Sequence, residues 1–271
     1  MGASRAAAAL SSGHLACKTR TEYDKLEGRQ GLHRPGLLEM RLPLGNGGIG
    51  SQVNGVKWLF FDLGDTLVDE SPPFEDSIRQ LVQASRSLGY AFGEDELRIE
   101  LLRAYEELHI QPMREALGRL VPKEDDRLAV RSGMKYRKEM EKPFPNALPV
   151  VRELAERCRL GVIANQSLGT AERLEQYGLL PYFQVICSSA ELGVAKPDPR
   201  IFKQALADAG CLPEEAAMIG DRIDNDIVPA KQLGMKAVWI RQGFARNQRV
   251  PRTPEGPDAV ITRLEELLDL F

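Results

Sequence analysis

Histidine, paired cysteine and long apolar runs are all scarce in this chain of 271 residues. Its three histidines are His14, His33 and His109, and its four cysteines are Cys17, Cys158, Cys187 and Cys211. No two cysteines form a CxxC pair or a metal-ligand spacing, so a zinc site and a mechanism built on histidine are both disfavoured. Scattered cysteines without a framework fit a reduced, cytoplasmic protein. No uncharged apolar stretch reaches the roughly 18 to 20 residues that a membrane-spanning helix needs. A net charge of −3 with mixed signs lacks the basic footprint of a nucleic-acid binder. The expected partners therefore include neither membrane nor nucleic acid, and the expected state is a monomer or homodimer.

What is present is unevenly spread. Residues 1–55 are rich in Ala, Gly and Arg, lack sustained periodicity and carry a net +3, leaving −6 on residues 56–271. They read as a disordered N-terminal extension. Beyond them, Trp58-Leu59-Phe60-Phe61 reads as a strand buried on both faces, as in a parallel sheet. Residues 72–144 then read as helices only. Phe74, Ile78, Leu81, Val82 and Leu88 form one apolar stripe, and Leu97, Leu101, Leu102, Tyr105 and Leu108 a second, with a third helix expected over 124–140.

After residue 145 short apolar runs alternate with amphipathic helices. The runs are Leu160–Ala164, Phe183–Cys187, Ala216–Ile219, Ala237–Ile240 and Ala259–Ile261. Asp198 as N-cap and Pro199 at the first position mark the start of one helix. Strand, helix, strand repeated in this way means a parallel sheet with right-handed crossovers. The expected fold class is α/β, a doubly wound, Rossmann-like parallel sheet made of residues 56–71 and 145–271. An all-helical insertion of residues 72–144 follows its first strand.

Polar landmarks fall where these strands end: Asp62, then Asn165 and Gln166, then Lys196, then Asp221 and Asp226. Parallel strands point one way, so their carboxyl ends converge on one crevice. Asp62 and Asp221, with a backbone carbonyl, offer the hard oxygen ligands that suit Mg²⁺. Lys196 supplies a positive charge for a phosphate oxygen or for the nucleophile, and Gly64 allows a sharp turn beside the ligand. A carboxylate beside a metal and a lysine can attack phosphorus to form an aspartyl-phosphate that water then hydrolyses.

Four short motifs, in order, carry a resemblance to the haloacid dehalogenase superfamily of hydrolases, in the subclass with a helical cap between the first two motifs. They are Asp62-Leu63-Gly64-Asp65-Thr66-Leu67, the strand ending at Ala164, Val194-Ala195-Lys196-Pro197-Asp198-Pro199, and Gly220-Asp221 with Asp226. The resemblance implies a phosphatase of small phosphorylated metabolites. Asp62 would be the nucleophile, and Lys196 would serve both catalysis and substrate binding. Mg²⁺ would be held by Asp62, the Gly64 carbonyl and Asp221, with Asp226 supporting the metal or fixing Lys196. Asn165 and Gln166 are the candidate substrate-binding residues.

Two positions depart from the family's pattern. Its acid/base carboxylate lies two residues after the nucleophile, and that position is Gly64 here. Asp65 is adjacent, but alternation of side-chain direction aims it elsewhere. The second motif's Thr or Ser is Ala164, with Asn165 or Ser167 the available substitutes. These departures keep open a weakly active binding or regulatory protein on the same fold. A hydrolase of carbon–halogen or carbon–phosphorus bonds is a further alternative, although the intact Asp221 and Asp226 argue against halide displacement, which needs no metal.

Overall fold

The structure, a computed structural model, describes residues 18–19, 55–251 and 254–271. The strands are β1 (Lys18–Thr19), β2 (Trp58–Phe61), β3 (Val68–Asp69), β4 (Lys142–Pro143), β5 (Arg159–Ala164), β6 (Phe183–Ser188), β7 (Ala216–Gly220), β8 (Lys236–Ile240) and β9 (Ala259–Ile261). The main sheet runs β1-β6-β5-β2-β7-β8-β9. From β6 to β9 every pairing is parallel, and β1 lies antiparallel on the β6 edge. Apart from β1 and Gly55, the expected N-terminal extension lies outside the described residues.

The sheet grows outward in both directions from β2, which pairs with β5 on one side and β7 on the other. Successive strand residues face opposite sides of a sheet. Leu59 and Phe61 accordingly join one apolar cluster with Val150, Leu154 and Leu174, while Trp58 and Phe60 join another with Ile201, Phe202 and Leu206. Both faces are covered, which is why β2 is a continuous apolar run rather than an alternating one. The second face is closed partly by the helix Pro199–Ala209. It starts as its sequence predicts, the Asp198 side chain accepting from the Arg200 backbone N–H with Pro199 at the first helical position.

Between β3 and β4 lie four helices: α1 (Ser71–Ser87), α2 (Glu94–Glu106), α3 (Pro112–Leu120) and α4 (Glu124–Ser132). Ile78, Leu81, Leu97, Leu101 and Leu117 pack together as a cluster of their own. Phe244 and Ala245, from the loop after β8, complete it. Two expectations are corrected here. The helix expected over 124–140 ends at Ser132, where Gly133 stands, and only a short turn, Lys138–Met140, follows. The stretch is also not helical throughout, because Lys142–Pro143 pairs antiparallel with Val68–Asp69. That ribbon ties the chain entering the helices to the chain leaving them. Cys158 and Cys211 are free thiols, as the sequence suggests, whereas Cys187 is disulfide-bonded.

Candidate active site

Asp62 follows β2 directly, and its backbone N–H donates to the Ile219 carbonyl at 2.9 Å, so the sheet pairing continues into the site. The Lys196 Nζ donates to Asp62 Oδ1 and to Asp226 Oδ1, each at 2.6 Å. Asp62, Lys196, Asp221 and Asp226 are all buried. Carboxylate oxygens of Asp62, Asp221 and Asp226 lie within 4.8 Å of one another. Residues 164 positions apart thus meet at the carboxyl ends of β2, β7 and the loop after β6.

The electrostatics of this group are unbalanced. Burial, followed by Asp226, Asp65 and Asp62, raises the Asp221 carboxyl well above the usual range. No Lys or Arg among the described residues forms an ion pair with it. Burial works against the Lys196 ammonium too, but Asp226 and Asp62 outweigh it and hold the lysine protonated. Gly220 exists for Asp226: a Cβ at that position would collide with the Asp226 carboxylate. The second Asp226 oxygen accepts from the Arg222 backbone N–H at 3.0 Å.

Asn165 and Gln166 line the same cavity, which measures about 330 Å³, but their amides are already occupied. Asn165 exchanges two hydrogen bonds with the Lys196 backbone. The Gln166 Nε2 donates to Glu70 Oε1 at 3.1 Å, and its Oε1 accepts from Arg173 at 2.6 Å. Ser167 accepts from the Lys138 Nζ at 2.6 Å and does not line the cavity. The Thr66 hydroxyl is buried and without a partner.

Asp65 sits at φ 47°, turning the chain just after Gly64. Its carboxylate accepts from the Glu70 backbone N–H at 3.2 Å and packs where Gly243 leaves room for it. Burial raises its pKa to about 6. Glu70 is the residue that sequence reasoning missed. Its carboxyl lines the cavity, and burial, then Asp65, Glu141 and Asp62, push it up to about 8. The only signal for it in the sequence is the glycine at position 64, which leaves a vacancy for some later acid to fill. Phe74, Tyr105, Ile110 and Gln111 bring the helical segment into the lining of the same cavity.

A family model described as haloacid dehalogenase-like hydrolase matches residues 56–234. The chain belongs to the haloacid dehalogenase-like hydrolases. Among relatives of this hydrolase is a glyceraldehyde 3-phosphate phosphatase of Methanopyrus kandleri, 31% identical over 225 residues that cover 79% of this chain and 97% of the relative. A phosphatase structure from Thermococcus onnurineus is 26% identical with a TM-score of 0.53 and covers 79% of this chain and 97% of that one. A 2-haloacid dehalogenase from Pseudomonas syringae is 28% identical with a TM-score of 0.51, covering 79% and 97% respectively. Both solved structures share the α/β core described above.

Proposed function

We propose that this hydrolase is a Mg²⁺-dependent phosphatase of small phosphorylated metabolites that works through an aspartyl-phosphate on Asp62. The observation that carries the reading is a charge imbalance. Asp62, Asp221 and Asp226 cluster within 4.8 Å with Lys196 as the one ammonium among them, so the ionised group carries two uncompensated negative charges. A divalent cation held by hard oxygen donors balances that sum. Asp62, Asp221 and the Gly64 carbonyl would hold it, with Asp226 behind them fixing Lys196. When bound, Mg²⁺ supplies positive charge that offsets repulsion between the phosphoryl oxygens and the attacking carboxylate.

The chain's own residues account for the rest. Lys196 orients the Asp62 carboxylate through a 2.6 Å bond and offers its charge to a phosphoryl oxygen. Residues 72–144 act in this reading as a cap over the crevice, excluding water and shaping specificity through Phe74, Tyr105 and Gln111. A cavity of about 330 Å³ suits a small phosphomonoester rather than a polymer. Relatives bearing phosphatase names support the same choice of reaction. No helix of the described residues is long and apolar enough to cross a membrane.

Phosphate release from a panel of phosphomonoesters, with and without Mg²⁺, tests the reading beside Asp62→Asn. Metal-dependent release that the variant lacks is the expected result. Chloride release from a 2-chloro acid without phosphate release from any ester would instead favour dehalogenation. Ligand binding without any turnover would favour a regulatory protein.

A further inference from the structure

Position 64 has no side chain, yet the space a side chain there would enter is filled. A Cβ built on Gly64 would lie 2.6–2.7 Å from the Cδ, Oε1 and Oε2 of Glu70, and from no other residue as closely. The whole carboxyl of Glu70 therefore stands where a residue two positions after Asp62 would place its own. The backbone brings it there. Asp65 N–H donates to the Val68 carbonyl at 2.7 Å, so the chain doubles back on itself after Gly64. Glu70 then stands at the N-cap position of α1, its N–H donating to Asp65 Oδ1 and its side chain left free of any capping bond.

The carboxyl is aimed as well as present. Gln166 holds Oε1 at 3.1 Å, and Arg173 fixes Gln166 from behind at 2.6 Å. Among the described residues no Lys or Arg forms an ion pair with Glu70, so the group is not committed to a structural salt bridge. It lines the cavity that Asp62 and Lys196 also line.

We propose that Glu70 is the proton-transfer residue of this hydrolase, serving the leaving group from the place that Gly64 vacates. The proposal rests on the phosphatase reading above. In the first step an Asp62 carboxylate oxygen forms a bond to phosphorus as the bond from phosphorus to the ester oxygen breaks. The departing oxygen takes the Glu70 proton and leaves as an alcohol. In the second step water attacks phosphorus and gives a proton back to Glu70. Inorganic phosphate departs and Asp62 is again a free carboxylate. Gln166 and Arg173 are positioning residues in this scheme.

Hydrolysis of 4-nitrophenyl, phenyl and n-propyl phosphate, in order of increasingly basic leaving group, tests it in the full-length protein with Mg²⁺. Glu70→Gln should lower kcat/KM, which reads the step in which the alcohol departs and not the later attack of water. The loss should be about 10²- to 10⁴-fold for n-propyl phosphate and less than about tenfold for 4-nitrophenyl phosphate, because only a poor leaving group needs the proton. An equal loss of kcat/KM on all three esters, or no loss on any, overturns the proposal. A second comparison removes dependence on a single variant. Removing the Glu70 carboxyl makes room for a side chain at position 64, so G64D/E70A should hydrolyse n-propyl phosphate faster than E70A, relative to 4-nitrophenyl phosphate. An unchanged ratio overturns the assignment of the vacated place to Glu70. Wild-type protein that releases phosphate from none of the esters defeats the phosphatase reading itself. Failure at Glu70 alone would leave wild-type turnover and its loss in D62N intact.

Discussion

Asn165 and Lys196 hold each other by two reciprocal hydrogen bonds. The Asn165 Nδ2 donates to the Lys196 carbonyl at 2.9 Å, and the Lys196 N–H donates to Asn165 Oδ1 at 2.7 Å. The side chain thus clamps the loop after β6 to the end of β5, which is how the Lys196 ammonium reaches Asp62. Replacing Asn165 by Ala leaves a backbone donor and acceptor without their partners, at a cost of about 1 kcal/mol in stability. The larger consequence is a shift of Lys196. A misplacement well below an ångström at a reacting group lowers rate, so N165A should reduce kcat about tenfold or more with a smaller change in KM. Steady-state kinetics beside a urea melt separates the two effects.

Lys196 itself is both machinery and scaffold. It is 4% exposed and faces two carboxylates at 2.6 Å. Truncation to Ala leaves those carboxylates buried and uncompensated, and breaking such a buried group by removing one partner costs about 3–5 kcal/mol. K196A is expected to lose that stability in metal-free buffer and to lose phosphate release altogether. K196M keeps the volume and lacks the charge, and it should be as inactive. Denaturant unfolding together with the phosphate assay checks both variants.

How much of this was legible in the sequence depends on how local the signal was. The β2 run, the later strands and the Asp198-Pro199 helix start are short-range patterns, and each forms as expected. The meeting of Asp62, Lys196, Asp221 and Asp226 followed from strand direction alone, because parallel strands deliver their carboxyl ends to one place. Glu70 was not legible. Its approach to Gly64 depends on Asp65 adopting φ 47° and on Gln166, 96 residues away, holding the carboxyl. The β3–β4 ribbon was invisible for a similar reason: two residues per strand carry no period to read. Nor does spacing reveal that the Asn165 and Gln166 amides are used inside the protein.

Gly220 offers a test of the acidic cluster that leaves every charge in place. A methyl at this position collides with the Asp226 carboxylate, which must then rotate away from Lys196 and the Arg222 N–H. G220A should therefore weaken Mg²⁺ affinity by about 10- to 100-fold, the size of effect that misplacing a supporting residue has at metal sites. Isothermal titration with Mg²⁺ alone reads this directly. Unchanged affinity would mean that Asp226 supports nothing at the metal.

Asp221 should behave in opposite ways with and without metal. Burial and its acidic neighbours raise its carboxyl, so ionising it opposes folding when no cation is present. D221N removes that penalty at nearly constant volume, and the metal-free variant should melt at a higher temperature than wild type near pH 8. Adding Mg²⁺ should then stabilise wild type, by about 2.7 kcal/mol at a hundredfold excess over Kd, and leave the variant nearly unmoved. Thermal melts in chelator and in Mg²⁺ give both comparisons. A variant that melts lower in chelator would contradict the charge imbalance from which the metal site is argued.

The same imbalance sets a pH dependence whose sign is fixed by Glu70 and Asp65. Glu70 rises from an ordinary 4.5 to about 8 and Asp65 from 3.8 to about 6, both with burial as the largest cause. Between the unfolded and folded values the native protein binds more protons than the unfolded chain, so stability falls as pH rises. The contribution is fully present below about pH 4 and is lost as pH passes through 6 for Asp65 and 8 for Glu70. In chelator, the melting temperature of wild type should fall steadily from pH 5 to pH 9. E70Q cannot ionise at this position, so it should make the decline between pH 6 and 9 shallower, while leaving the parts due to Asp65, Asp226 and Asp221. Melts of the two proteins in a common buffer series decide it, and parallel curves would show that the Glu70 carboxyl is not raised by its surroundings.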